Sequence, residues 1–300
     1  MRSHIAGMRH LSGIRCVAVL GCVLAAATTG AIGASTAGAS RAAPAGTGRA
    51  PSSQTLRIGA GWGVLVLPPH PRALAIVIHG GEIASNRIRA ALSTRVSARV
   101  YAGRLAPLGI GVLSVNYRWS GYGGGELRDV EAALTRASHD PATAALPKIL
   151  IGASHGGYLA ALAATTQAAK AANVRAVVDL YGFSNLGATV SEPSSRYDPQ
   201  ARLTLRQLGP PARAARAYAS RSPLFRAGLL EIPLFQAVGA SDRDTRPDVI
   251  ALTRAIRAHG GTSVLHVLPG LAHGFAFGST ASPLVWHEIS DFLRHLRLAR

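Results

Sequence analysis

From Trp62 onward the chain alternates short, uninterrupted apolar runs with longer segments in which apolar positions recur every three or four residues. The short runs are Trp62 to Leu67, Leu74 to Ile78, Ile110 to Asn116, Lys148 to Ala153, Val174 to Leu180, Pro233 to Val238 and Ser263 to Val267; their length and β-branched content predict strands. Asn86 to Leu105, Leu127 to Ser138, Tyr158 to Ala172, Pro247 to Ala258 and Pro283 to Leu298 carry the longer pattern and predict helices. Strands that are apolar on both faces and separated by helices predict an α/β fold, with a mostly parallel central sheet covered by helices on both faces. The segment from Phe183 to Leu230 is too long for a simple crossover, so a small lid-like insertion is expected around 183–230.

In a parallel sheet, functional groups gather where strands end. Four polar groups stand at such exits: His79 with Gly80 and Gly81 after Leu74 to Ile78, Ser154 after Lys148 to Ala153, Asp242 after Pro233 to Val238, and His273 after Ser263 to Val267. Ser154 lies within Gly152-Ala153-Ser154-His155-Gly156, between a strand-like and a helix-like run, where a G-x-S-x-G pentapeptide forms a strained turn that exposes the serine hydroxyl. Glycine is needed on both sides because side chains there would meet the neighbouring strand and helix.

A serine hydroxyl becomes nucleophilic when an imidazole takes its proton, and the imidazole needs a carboxylate to fix its tautomer. Ser154, Asp242 and His273 supply these groups in the chain order serine, acid, histidine. Asp244 is the second candidate for the acid, since Gly239-Ala240-Ser241-Asp242-Arg243-Asp244 offers two carboxylates. His266 is expected within a strand, and His287 and His295 on the terminal helix, which leaves His273 at the strand exit. Two convergent N–H groups must hold the oxyanion of an acyl-transfer intermediate. The backbone N–H of His155 is one candidate, its side chain pointing away from the serine, and that of Gly81 is the other.

These motifs, taken with Asn116-Tyr117-Arg118, the glycine-rich Gly121-Tyr122-Gly123-Gly124-Gly125, Gly156-Gly157-Tyr158, Ser222-Pro223-Leu224-Phe225 and His273-Gly274-Phe275, resemble the prolyl oligopeptidase-like serine peptidases and esterases. The resemblance implies an α/β-hydrolase fold, Ser154, Asp242 and His273 as catalytic residues, and a substrate-contacting role for Tyr117 and Tyr122. It also implies an ester or short-peptide substrate. The peptidases of that family carry an N-terminal β-propeller, for which this chain has no room, and Glu82 stands where they often have proline.

Composition adds location and excludes some chemistry. Arg2, Arg9 and Arg15 precede an apolar run from Cys16 to Ala27 and the small residues Ala37-Gly38-Ala39, the pattern of a secretory signal peptide spanning residues 1–39. Residues 40–53, rich in Ala, Pro, Gly and Ser, read as a flexible linker, and residues 54–300 as the catalytic domain. Both cysteines, Cys16 and Cys22, fall in the removable segment; Cys22 also ends a faint lipoprotein-like box. The expected product is an exported protein without disulfides or a stable membrane span.

The net charge of +18 comes from scattered arginines without interleaved aromatics, a pattern that reads as a solvated surface rather than a specific nucleic-acid site. No cofactor or metal is expected, because ligand spacings such as H-E-x-x-H are missing and Gly121 to Gly125 lacks the Lys-Ser/Thr of a phosphate loop. The leading expectation is an exported serine esterase. An acyltransferase with the same residues and a secreted basic binding protein on a hydrolase scaffold are the alternatives.

Overall fold

The computed structural model describes residues 52–81, 87–192, 198–275 and 282–300. The expected signal peptide and residues 40–51 of the expected linker lie outside them. Ser52 and Ser53, assigned to that linker, instead open a strand. Eight strands form one sheet: β1 (Ser52–Ile58), β2 (Gly61–Leu67), β3 (Ala73–Ile78), β4 (Ile110–Asn116), β5 (Lys148–Ala153), β6 (Val174–Leu180), β7 (Leu234–Gly239) and β8 (Ser263–Leu268). Their spatial order is β1-β2-β4-β3-β5-β6-β7-β8. β1 pairs antiparallel with β2, and β2 antiparallel with β4, whereas every pairing from β4 to β8 is parallel. The mostly parallel sheet expected from the apolar runs is therefore present. β1 was not anticipated, because Ser52 and Ser53 read as linker until pairing with β2 supplies their hydrogen bonds.

β3 shows why the strands are apolar throughout. All six of its residues are fully buried. Leu74, Ile76 and Ile78 join a core with Val130 and Leu134 of α2 (Glu126–His139) and Leu159 of α3 (His155–Ala163). Ala73, Ala75 and Val77 face a second core with Tyr101 and Leu105 of α1 (Arg87–Leu105), which also holds Trp286, Ile289 and Leu293 of α9 (Ser282–His295). Period-two alternation thus feeds two cores from one strand. Each large side chain so buried contributes about 1.5–3 kcal/mol.

The single helix expected over Tyr158 to Ala172 is two. α3 begins earlier, at His155, and ends at Ala163; α4 covers Gln167–Ala171. Between them the hydroxyls of Thr165 and Thr166 donate to the carbonyls of Leu162 and Ala163 at 2.7 and 2.8 Å. Such side-chain bonds compete with the helical ladder.

The remaining helices are α5 (Leu186–Ser191), α6 (Pro199–Leu208), α7 (Ala215–Ser220) and α8 (Arg246–Ala258). α5 to α7, with a 3-10 stretch Pro223–Leu229, form the insertion between β6 and β7. It is fastened to the glycine-rich segment. Thr204 Oγ1 accepts from the Tyr122 N–H at 2.9 Å, Gln207 donates to the Ser120 carbonyl at 3.1 Å, and Arg221 donates to the Tyr122 carbonyl at 3.1 Å. Among the described residues no helix is long and apolar enough to cross a membrane.

Candidate active site

Ser154 sits between β5 and α3 with φ 56° and ψ −123°, a left-handed conformation rarely adopted by a residue with a side chain. Close packing holds it there. A Cβ on Gly152 would fall 2.0 Å from the carbonyl oxygen of Gly156, and one on Gly156 would fall 2.0 Å from that of Ile78. Glycine is therefore required on both sides of the turn, which ties α3 against β3 and β5. The strain at Ser154 costs on the order of 1–3 kcal/mol and is carried by this packing.

His273, in the loop after β8, reaches across to the serine. Its Nε2 lies 2.9 Å from Ser154 Oγ and its Nδ1 lies 2.7 Å from Asp242 Oδ2. Asp242 is buried in the turn after β7, and Asp244 is exposed. Of the two carboxylates, then, Asp242 meets the imidazole. Asp244 contributes its backbone N–H, which donates to Asp242 Oδ1 at 3.2 Å. Burial alone would raise the Asp242 carboxyl. Donors from His273 and from the N–H and hydroxyl of Thr245 outweigh that, together with attraction to the imidazole, and hold it below the ordinary carboxylate range. With a carboxylate at Nδ1, that nitrogen donates and Nε2 is free to accept the serine proton. The Tyr181 ring meets the imidazole edge-on at 4.7 Å between centroids. Tyr181 directly follows β6 at φ 48°, a second strained residue beside this histidine.

The two N–H candidates are also close together. His155 is the first residue of α3, so its N–H has no intrahelical acceptor. Gly81 packs directly on the His155 side chain, since a Cβ there would lie 2.4 Å from His155 Nδ1 and 2.8 Å from its Cβ. The His155 imidazole is turned into the protein, as expected, and its Nε2 meets the buried carboxylate of Glu126. His79 is buried and stacked on Tyr117 at 4.5 Å between centroids. Burial, helped by the neighbouring His155 and opposed by a bond to the Gly80 carbonyl, lowers its pKa to about 4, so the ring is neutral near pH 7.

Tyr117 and Tyr122, for which the resemblance implies a substrate-contacting role, lie beside the same imidazole. Both are buried; the Tyr117 hydroxyl donates to the His79 carbonyl at 2.8 Å and the Tyr122 hydroxyl donates to Asp198. Both rings pack on His155, with centroids 5.8 and 5.0 Å away. They form part of the wall around that imidazole. The glycine-rich segment Gly121 to Gly125 is likewise largely buried.

Glu126, Gln200 and Thr245 were not anticipated. Glu126 reads locally as an acid favouring a helix N-terminus, its partners His155 and Gln200 lying 29 and 74 residues away, and Thr245 reads as the residue before a helix, although its partner Asp242 is only three residues back. Among the described residues no group of three or more His, Cys, Asp or Glu could hold a metal ion.

Similarity to known proteins agrees with this architecture. A truncated carbohydrate esterase from gut microbiota matches with a TM-score of 0.65 at 18% identity, over 83% of this chain and 97% of its own. Esterase B of Lactobacillus rhamnosis matches with a TM-score of 0.64 at 20% identity, over 82% of this chain and 86% of its own. The acylaminoacyl peptidase of Pyrococcus horikoshii gives 0.60 at 14% identity, over 83% of this chain but only 42% of its own. A structure of an acylaminoacyl peptidase in complex with Z-Gly-Gly-Phe-chloromethyl ketone is likewise spanned over 41% of its length. No curated protein sequence matches. These likenesses establish a hydrolase fold without a β-propeller among the described residues. The BD-FAE family model covers residues 67–245, more than half of the chain and the span from the end of β2 to the turn bearing Asp242, so the chain belongs to the BD-FAE family of α/β-hydrolases.

Proposed function

We propose that the protein is an exported serine hydrolase that cleaves carboxylic esters through an acyl-enzyme on Ser154. The observation that carries this reading is the continuous chain from Asp242 Oδ2 through His273 to Ser154 Oγ, at 2.7 and 2.9 Å, ending on a strained turn. As Ser154 Oγ attacks the ester carbonyl, its proton passes to His273 Nε2. The imidazolium keeps its Nδ1–H on Asp242. Negative charge on the former carbonyl oxygen is received by the N–H groups of His155 and Gly81. Collapse of that intermediate breaks the bond to the alcohol, which takes the proton from Nε2 and leaves an acyl-serine. Water then repeats the cycle: it gives a proton to His273 Nε2 as it attacks the acyl carbon, and collapse breaks the bond to Ser154 Oγ, which takes that proton back as the carboxylic acid leaves. An alcohol in place of water would give acyl transfer by the same steps.

Esters are favoured over peptides because the chain is similar to a carbohydrate esterase across 97% of that protein but spans only 41% of an acylaminoacyl peptidase. Export is inferred from the basic and apolar pattern of residues 1–39. Sequencing the N-terminus of protein recovered outside the cell should place the new terminus near residue 40; an intact Met1 there would refute cleavage.

A fluorophosphonate probe should label the protein once, at Ser154, and p-nitrophenyl esters of short acids should be hydrolysed faster than aminoacyl anilides. Ser154→Ala should abolish labelling and lower kcat by several orders of magnitude with the fold intact. Full activity in that variant would sink the assignment. Faster release of anilides would make the protein a peptidase.

A further inference from the structure

The buried pair of His155 and Glu126 takes no part in the proton transfers above, yet it adjoins both N–H groups assigned to the oxyanion. His155 supplies one of them from its own backbone. Its side chain packs on the residue that bears the other, because Gly81 lies against the imidazole so closely that only glycine fits. Five rings surround the imidazole: Tyr122 at 5.0 Å, Trp119 at 5.6 Å, Tyr117 at 5.8 Å, Tyr158 at 5.9 Å and Phe183 at 6.3 Å between centroids. The ring is thus caged, and among the described residues its Nε2 is anchored on Glu126.

Glu126 is completely buried. Its second oxygen accepts from Gln200 Nε2 at 2.6 Å, and Gln200, also completely buried, accepts the Gly121 N–H at 3.0 Å through Oε1. The chain of contacts therefore runs from α6 in the insertion, through the N-terminus of α2, to the first residue of α3 and on to Gly81. Taking a carboxylate out of water is expensive, and a buried pair often stabilises a fold no better than apolar residues of the same shape. What such a pair supplies is direction. An apolar side chain in place of Glu126 could fill the volume without fixing the rotation of the imidazole.

Building on the serine-hydrolase reading, we propose that Glu126 is a positioning residue for the oxyanion hole and that Gln200 makes the insertion part of that scaffold. Glu126 orients the His155 ring, which holds the His155 N–H and the Gly81 backbone at the spacing the developing oxyanion requires. The insertion is accordingly a brace for catalysis.

The test compares the unaltered protein with Glu126→Gln and Gln200→Met, reading kcat and KM on p-nitrophenyl acetate, affinity for a phenyl trifluoromethyl ketone, and Tm. That ketone forms a hemiketal with the serine and places its oxyanion in the hole. Misplacing a donor without deleting it should lower kcat by about 10- to 100-fold in Glu126→Gln, with KM within about twofold and ketone affinity falling in parallel. Gln200→Met should show the same pattern at roughly a few-fold. Unchanged kcat and unchanged ketone affinity in the folded variants would overturn the proposal, as would losses in KM alone. Should Glu126→Gln fail to fold, Gln200→Met, which keeps the contact between Glu126 and His155, decides the question. Absence of both labelling and hydrolysis in the unaltered protein would instead remove the hydrolase reading, and this proposal with it.

Discussion

Thr245 grips the carboxylate of Asp242 with two donors, its backbone N–H on Oδ1 at 3.0 Å and its hydroxyl on Oδ2 at 2.7 Å. The oxygen that faces His273 is therefore aimed by a residue only three positions along the chain. A turn residue that looks like an ordinary helix start thereby orients the acid of the proposed site.

This relationship separates three substitutions. Asp242→Asn should lower kcat by about 10⁴-fold, because an amide at Nδ1 favours the wrong imidazole tautomer. Asp244→Asn should leave kcat nearly unchanged, since only its backbone N–H touches Asp242. Thr245→Val should fall between them, at about tenfold, by loosening the carboxylate. Steady-state kinetics on one short-chain ester would check the order, and a larger loss at Asp244 than at Asp242 would contradict it.

Asp179 gives the fold a pH dependence of its own. Its carboxyl is buried on β6, accepts from Gln236 Nε2 at 3.1 Å and the Gly182 N–H at 2.9 Å, and lies against Gly157. Burial, despite those two bonds, pushes it up to about 7 from an ordinary 3.8. Between these values the unfolded chain has released the proton while the folded chain keeps it, so stability is lost as pH rises through the window. Asp179→Asn removes this slope. The Tm of the variant minus that of the unaltered protein should therefore increase from pH 4 to pH 8; a flat difference would show that Asp179 does not titrate in this range.

Two glycine substitutions should have opposite signs. Gly156→Ala forces a Cβ to within 2.0 Å of the Ile78 carbonyl oxygen, which no side-chain rotation can relieve. A loss on the order of 3 kcal/mol is expected, along with most of the activity, since Ser154 sits on the same turn. Gly103→Ala, on α1 with nothing within 4 Å of the added Cβ, should stabilise by about 0.5–1 kcal/mol. Thermal melts of both variants would measure the contrast.

The basic surface should be visible in binding and not in turnover. If the charge of +18 is only solvated, hydrolysis of a neutral ester should change little between low and moderate salt, and retention on heparin should disappear near physiological ionic strength. Retention that survives there would indicate a dedicated polyanion site.

Much of this protein was legible in the chain because its information is local and periodic. Apolar runs such as Ile149-Leu150-Ile151 admit one placement, in the middle of a covered parallel sheet, and strand exits follow from where those runs stop. The pentapeptide around Ser154 reads correctly because its glycines answer a steric demand between adjacent segments. Other features were decided only when distant segments met. Ser52 and Ser53 became strand by pairing with Leu67 and Val66. The choice of Asp242 over Asp244 depends on which carboxylate points at a loop 31 residues away. The burial of Tyr117 and Tyr122, and the joining of Glu126 to His155 and Gln200, depend on three segments converging around one imidazole. Periodicity shows which residues leave water; which polar groups then satisfy one another is set by tertiary packing, because a buried hydrogen bond depends on distance and direction in space rather than separation along the chain.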